Sequence, residues 1–366
     1  MASFRDLLLP LAEADFNKTI SKIHDSYRVS DKMKLEAKKL RVCQWQRFRN
    51  FTFKIASNFN FKRKLWYNQD MINQVTRDRI NGLSEEYHKL AVKYKEAIKE
   101  LTISELPEMV YNSNAIENST LTLEDTEDIL IRDQIHTDHE IREIYEAKNL
   151  ARAIEYLIDN PEKEISVELI LKLHKTLLTN IRDEIAGRFR SGKEWVRVGT
   201  HIGANPEFVN GFMYDLVRDY NSNNGEYFLE KIAYFHAEFE NIHPFGDGNG
   251  RIGRLLTNEQ LDMLGLPPII IPNKSKFDEY YPALDEYTKT NKADKLTELF
   301  ASLLIEALYR RITKLTAKKI IPVADWAKNN GVNLQSATNK AIRGTIPAFR
   351  VRGHWMIDGE ARPWRV

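Results

Sequence analysis

Between His243 and Arg254 the chain reads His-Pro-Phe-Gly-Asp-Gly-Asn-Gly-Arg-Ile-Gly-Arg. Each residue type in this dozen has a use around a polyphosphate. Gly248 and Gly250 let backbone N–H groups come close to an anion, because no Cβ stands in the way. A helix starting near Asn249 adds its positive N-terminal end at the same place. Asp247 is a hard oxygen ligand of the kind Mg²⁺ takes alongside substrate phosphates. Arg251 and Arg254 stand at i and i+3, on one helix face, and can address the same anion. His243 ionises near neutrality and is a candidate general base.

The plain alternative is a Gly-rich turn between two helices with a solvated basic face. Base, metal ligand, anion nest and paired arginines together favour a site over a turn. The stretch resembles the signature of the Fic family, His-x-Phe-x-(Asp/Glu)-Gly-Asn-Gly-Arg-x-x-Arg, and matches every fixed position, Phe245 included. The resemblance implies a mainly α fold, a helical core with a β-hairpin flap. It also implies transfer of AMP from ATP, with Mg²⁺, onto a Ser, Thr or Tyr hydroxyl of a target protein. Carried over, His243 deprotonates that hydroxyl and Asp247 holds Mg²⁺ on the α- and β-phosphates. Gly248, Asn249 and Gly250 form the anion hole, Arg251 meets the β-phosphate region and Arg254 the γ-phosphate. Tyr280 and Tyr281 resemble the aromatic pair near the adenine, with core packing as their alternative. The same site could remove AMP, use another nucleotide, or serve a nucleotide-sensing DNA-binding regulator.

Two further stretches belong beside this one. Ser113 and Glu117 are four apart and stack on one face of a helix. Ser113 to Asn118 resembles the family's inhibitory motif, (Ser/Thr)-x-x-x-Glu-(Gly/Asn), in the class that carries it ahead of the core. The resemblance implies that Glu117 pairs with Arg254 and restrains the enzyme. Glycines and the strand formers Trp195, Val196 and Val198 break the helical pattern over 187–199 and predict a short hairpin. It resembles the family's flap, which implies that Arg190, Trp195, Val196 and Val198 meet the target, an exposed strand edge accepting an extended segment.

Helices must hold these pieces. Thr122 with Asp125, and Thr137 with Glu140, read as capping boxes. The second opens a helix to about Asp159 with a stripe from Ala147 to Ile158. Ser166 caps a helix through Leu178, on which His174 reads as a satisfied core histidine. Helices over 207–220 and 228–241 lead into His243. The motif helix ends at Gly265, before Pro267 and Pro268. Further helices are expected over 276–287 and 295–318. Upstream, a helix over 80–101 should stop near Thr102, with the inhibitory helix, 111–118, separate from it.

The 366 residues give a domain expectation of 1–106 as a helical region without nameable chemistry, 107–309 as the catalytic core, and 310–366 as a module of different character. That last piece reads as helix, Gly331 turn, helix capped by Asn333, then a hairpin across Arg352-Gly353. It resembles winged helix-turn-helix modules of the excisionase and MerR type. It holds twelve Lys/Arg against three Asp/Glu, net +9, against −7 for the rest. That charge makes DNA a candidate partner, with a basic protein-contact appendage as the alternative. Arg41 to Lys64 mixes basic residues with aromatics, most simply as core and solvated face. Cys43 is the only cysteine, so no intramolecular disulfide forms. Leu7 to Leu11 is too short to span a bilayer. The expectation is a cytoplasmic protein without a membrane segment, and a homodimer is allowed for.

Overall fold

The computed structural model describes residues 72–135, 139–198, 201–222 and 225–362. Leu7 to Leu11, Cys43, the Arg41–Lys64 segment and the Thr137 cap lie outside the described residues. Among the described residues the fold is mainly helical, and no helix is long and apolar enough to cross a membrane.

The centre is a pair of consecutive helices. Helix α7 (Phe228–Ile242) and helix α8 (Asn249–Asp262) are joined by the loop 243–248. Helix α7 carries apolar residues on two faces and buries both, while Glu230, Lys231, Glu238 and Glu240 are only partly covered. Its Phe235, Phe239 and Ile242 join a core with α4 (Ile141–Asp159) and α5 (Val167–Leu178). Its Leu229, Ile232, Ala233 and Ala237 join a second core with α1 (Gln74–Lys93), α9 (Tyr281–Thr290) and α10 (Asp294–Thr316). Ser166 caps α5 by accepting from the Leu169 N–H at 3.0 Å. Thr122 and Asp125 form the reciprocal capping box of α3 (Leu123–Glu127). Helix α6 (Val209–Ser222) packs beside α7.

The upstream helices differ from expectation. Helix α1 stops at Tyr94, and α2 runs unbroken from Lys95 to Ile116 with Pro107 inside it. The segment 111–118 is therefore the last turn of a long helix with its cap, not a separate element. A proline in a helix interior loses one hydrogen bond and crowds the preceding turn. Here burial of Leu106, Pro107, Met109 and Val110 offsets that cost. Buried Glu105 adds an anchor, bonded to Arg311 at 2.7 Å and Lys314 at 3.1 Å. The expected boundaries at 106/107 and 309/310 fall inside α2 and α10 respectively, so neither is a break in the backbone.

The C-terminal piece has its own small core around Trp326. A sheet of order β3-β5-β4 (Ile320–Pro322, His354–Asp358, Ala348–Val351) packs with α11 (Val323–Asn329) and α12 (Leu334–Ile342). Asn333 caps α12 through Ser336 N–H at 2.9 Å, as its sequence position suggests. The positive charge is less free than the count implies. Arg310 reaches Glu108 at 3.0 Å, Arg350 reaches Glu306 at 2.6 Å, and Arg352 reaches Glu127 at 2.7 Å. With Arg311 and Lys314 on Glu105, five of the twelve basic residues are engaged by acids of the helical body.

Candidate active site

The site is built at the turn between α7 and α8. Helix α7 ends on His243, which takes a left-handed conformation, φ 52°, and turns the chain sharply. Two devices hold the loop that follows. Asn249 accepts from the Phe245 N–H at 2.8 Å and donates to the Phe245 carbonyl at 2.9 Å. His174 accepts from the Gly187 N–H through Nδ1 at 3.0 Å. Its Nε2 therefore carries the proton and donates to the Asp247 carbonyl, also at 3.0 Å. The His174 ring stacks on Phe245 with centroids 3.7 Å apart. Burial pushes its pKa down to about 4, which keeps this tautomer neutral.

These contacts fix how three residues of the motif are used. Phe245 is fully buried and anchors the loop from below. The Asn249 side chain is consumed by the loop lock, and only the backbone at the start of α8 is left to face an anion. Gly248 has φ 81° and lies within 3.0 Å of Leu177 at its Cβ position, so glycine is required there for backbone shape and for packing.

Arg190 is also relocated. It was expected to face a target, but it is buried and all its contacts are backbone carbonyls. Nε donates to His243 O at 2.6 Å, Nη2 to Ala204 O at 2.6 Å and Ile242 O at 3.0 Å, and Nη1 to Glu194 O at 3.1 Å. It welds the hairpin to the His243 turn. The strands are shorter and later than expected. β1 (Arg197–Val198) pairs with β2 (His201–Ile202), while Trp195 and Val196 precede the ladder. Trp195, Val198 and Ile202 stand 57%, 49% and 51% exposed. Gly203 closes the hairpin onto the site, where a Cβ would lie 2.8 Å from Arg190 Nη2 and 3.1 Å from His243 Cβ. Nothing in the sequence signalled Gly203. We expect Arg190→Met to leave up to three carbonyls without a donor, since Ile242 O keeps the Ala204 N–H at 3.1 Å, and to cost on the order of 2 kcal/mol or more. A Tm lower by about 5 °C in thermal unfolding would register it. An unchanged Tm would show that water replaces the guanidinium at no cost.

His243 itself is mostly buried, and that burial lowers its pKa to about 4. It is therefore neutral at physiological pH and able to take a proton. Asp247 accepts from Arg142 Nη2 at 2.9 Å and Arg251 Nη2 at 3.2 Å, with Arg182 Nη1 at 4.0 Å. Arg251 also meets Glu146 at 3.1 Å. The sequence reading missed Arg142, Arg182 and Glu146, which are distant in the chain and belong to no motif.

Arg254 points away from Arg251, into the end of α2. Its Nε donates to Ser113 Oγ, and its Nη2 to Ser113 O, both at 2.9 Å. Nη2 also pairs with Glu117 Oε1 at 2.8 Å. The Glu117 carboxylate sits so close over Gly250 that a Cβ there would overlap it. Lys276 caps the end of α2 through Ala115 O at 3.0 Å, Ile116 O at 3.2 Å and Asn118 Oδ1 at 3.0 Å. Tyr281 donates to Ile116 O at 2.9 Å. Tyr280 is buried and bonds His236 Nε2 at 2.8 Å, beneath Arg254. Tyr280 is core, and Tyr281 holds the end of α2.

A neutral histidine, a glycine-opened helix N-terminus and an arginine paired with a carboxylate meet on this helical scaffold. Residues 164–261 match the model of the Fic/DOC family. The chain carries a Fic/DOC domain. It is 34% identical to protein adenylyltransferase fic-1 of Caenorhabditis elegans over 181 residues, which is 48% of this chain and 35% of that protein. It is 30% identical to protein adenylyltransferase Fic of Nematostella vectensis over 234 residues, 59% of this chain and 51% of that protein. The chain thus spans about a third to a half of these curated relatives. A Fic domain containing signaling protein from Bacteroides thetaiotaomicron superposes with TM-score 0.60 at 26% identity, over 65% of this chain and 96% of that one. Caenorhabditis elegans Fic-1, residues 134–508, superposes with TM-score 0.57 at 27% identity, over 66% and 72%.

Proposed function

We propose that this chain is a protein adenylyltransferase that moves AMP from ATP to a hydroxyl of a target protein and is restrained by its own Glu117. The observation that carries the reading is the anion already in the site. A carboxylate of the chain lies over Gly250 at the start of α8 and is gripped by Arg254. A site that captures an internal carboxylate at a helix N-terminus is one made for phosphate oxygens.

In this reading the α-phosphate faces the 248–250 backbone and the terminal phosphate takes Arg254. The target's hydroxyl oxygen attacks the α-phosphorus, the bond to the bridging oxygen breaks, and pyrophosphate leaves. Neutral His243 accepts the hydroxyl proton. The exposed Trp195, Val198 and Ile202 offer the target an apolar edge beside the reacting centre.

Among the described residues no cluster of three metal-ligating side chains exists. Asp247 alone supplies a carboxylate, which suits Mg²⁺ that brings its other ligands as phosphate oxygens and water. When bound, the metal would neutralise charge on the phosphates. Asp247→Ala should erase the gain in ATP affinity that Mg²⁺ gives, read by calorimetric titration with and without the metal. An undiminished gain would place the metal elsewhere. The reading as a whole is tested by incubating the Glu117→Gly chain with labelled ATP and a cell lysate. Adenylylated protein in the mass spectrum is expected, and its absence, including on the chain itself, overturns the reading.

A further inference from the structure

One acidic side chain beside the base has no role in the steps above. Glu240 lies one turn before His243 on α7, and its Oε2 is 3.9 Å from His243 Nδ1. Its other oxygen, Oε1, is buried without a hydrogen-bond partner. That oxygen rests against Gly253 of α8, where a Cβ would come within 2.6 Å of it. Gly253 falls on a variable position of the motif, so the motif does not explain why the contact is so close. The neighbouring wall is rigid, because His236 is bonded to Thr257 at 2.9 Å and Tyr280 at 2.8 Å.

A complementary orphan lies nearby. Arg254 Nη1 is buried and also lacks a hydrogen-bond partner, because Ser113 and Glu117 engage only Nε and Nη2. An unpaired buried carboxyl and an unpaired buried guanidinium edge are each costly, and each would satisfy the other. The groups that act on Glu240 are Arg254 of α8, Glu117 at the end of α2, His243 at the end of its own helix, and Tyr280 and Tyr281. With Glu117 in place, burial first and then the Glu117 charge push Glu240 up to about 8, against the pull of Arg254.

We propose that Glu240 is a positioning residue for the transfer reaction. Once Glu117 gives up Arg254, the Glu240 carboxylate takes the open Nη1 edge of that guanidinium. From the same place it lies along the Nδ1 side of His243. One side chain then fixes the base relative to the arginine that receives the terminal phosphate, and it stabilises the imidazolium formed when His243 accepts the proton. Arg254 can do this while holding phosphate, because a guanidinium carries five donors on separate edges. Release of Glu117 and strengthening of the base become one event. This rests on the adenylyltransferase reading, but its decisive test does not need turnover.

In the Glu117→Gly background, the His243 imidazole is titrated by NMR with and without Glu240→Gln. The amide keeps shape and removes the anion, so His243 should protonate at distinctly lower pH. In autolabelling, kcat should fall about tenfold, a fraction of what general-base catalysis supplies. ATP should bind as tightly or more tightly, because a negative neighbour of the phosphates is gone. A purely structural loss would instead weaken ATP binding. Gly253→Ala in the same background should displace the carboxyl and reproduce both effects with Glu240 intact. If Glu240→Gln leaves the His243 titration where it was, or lowers kcat only together with ATP affinity, the proposal is wrong. If no variant transfers AMP yet the titration moves, the transfer reading fails and the positioning role stands.

Discussion

His243→Ala should abolish AMP transfer while ATP still binds. In the proposed reading the phosphates meet the 248–250 backbone and Arg254, which lie on α8 and its entry and do not depend on the imidazole for their placement. The Arg190 weld bonds the backbone carbonyls of Ile242 and His243, so the turn survives loss of the side chain. Only the proton acceptor is missing, and general-base catalysis is worth roughly 10²–10⁴-fold. Because burial holds His243 near pH 4, the wild-type rate should not fall on the acid side through this group until well below pH 6. The check is single-turnover labelling of wild type and variant, with ATP affinity measured in parallel. Labelling at the wild-type rate would remove His243 from the chemistry.

Release of Glu117 should produce the largest gain. Glu117→Gly deletes the carboxylate that both pairs with Arg254 and covers Gly250. In the proposed reading, until it leaves, the terminal phosphate of ATP has neither its arginine nor its room, and the α-phosphate does not align. Misplacement by about 1 Å can cost on the order of 100-fold, so autolabelling should rise by roughly that factor. The helix end should survive the change, since Lys276 and Tyr281 hold the carbonyls of Ala115 and Ile116 independently of Glu117. Ser113→Ala removes only one of the two Ser113 contacts to Arg254, and its activation should be smaller. Equal autolabelling by wild type and Glu117→Gly at the same concentration, with ATP and Mg²⁺ present, would reduce Glu117 to an ordinary cap residue.

The sequence by itself determined the chemistry of the turn. Twelve consecutive residues carried the base, the carboxylate, the glycines and both arginines, because phosphate contacts at a helix N-terminus are local in the chain. The capping box of α3, the Ser166 cap of α5 and the amphipathic stripes of α4 and α5 were legible for the same reason, since their hydrogen bonds and faces close within a few residues. Ser113 and Glu117 were legible as a short pattern, but the helix that carries them was not. The sequence ended a helix near Thr102, but the chain runs on as one helix to Ile116, with Leu106, Met109 and Val110 buried in the core shared with α4 and α5. Only the tertiary structure decided what each group in the site spends its bonds on. Asn249 and Arg190 look like ligand contacts in sequence, yet both are turned inward to satisfy backbone carbonyls of a strained loop. Arg142 and Glu240 carry no motif, because what they face comes from elsewhere in the chain, the Asp247 loop for Arg142 and Gly253 of α8 for Glu240. Arg251 and Arg254 share a helix but diverge to Glu146 and Glu117, since each guanidinium follows the carboxylate that packing brings to it.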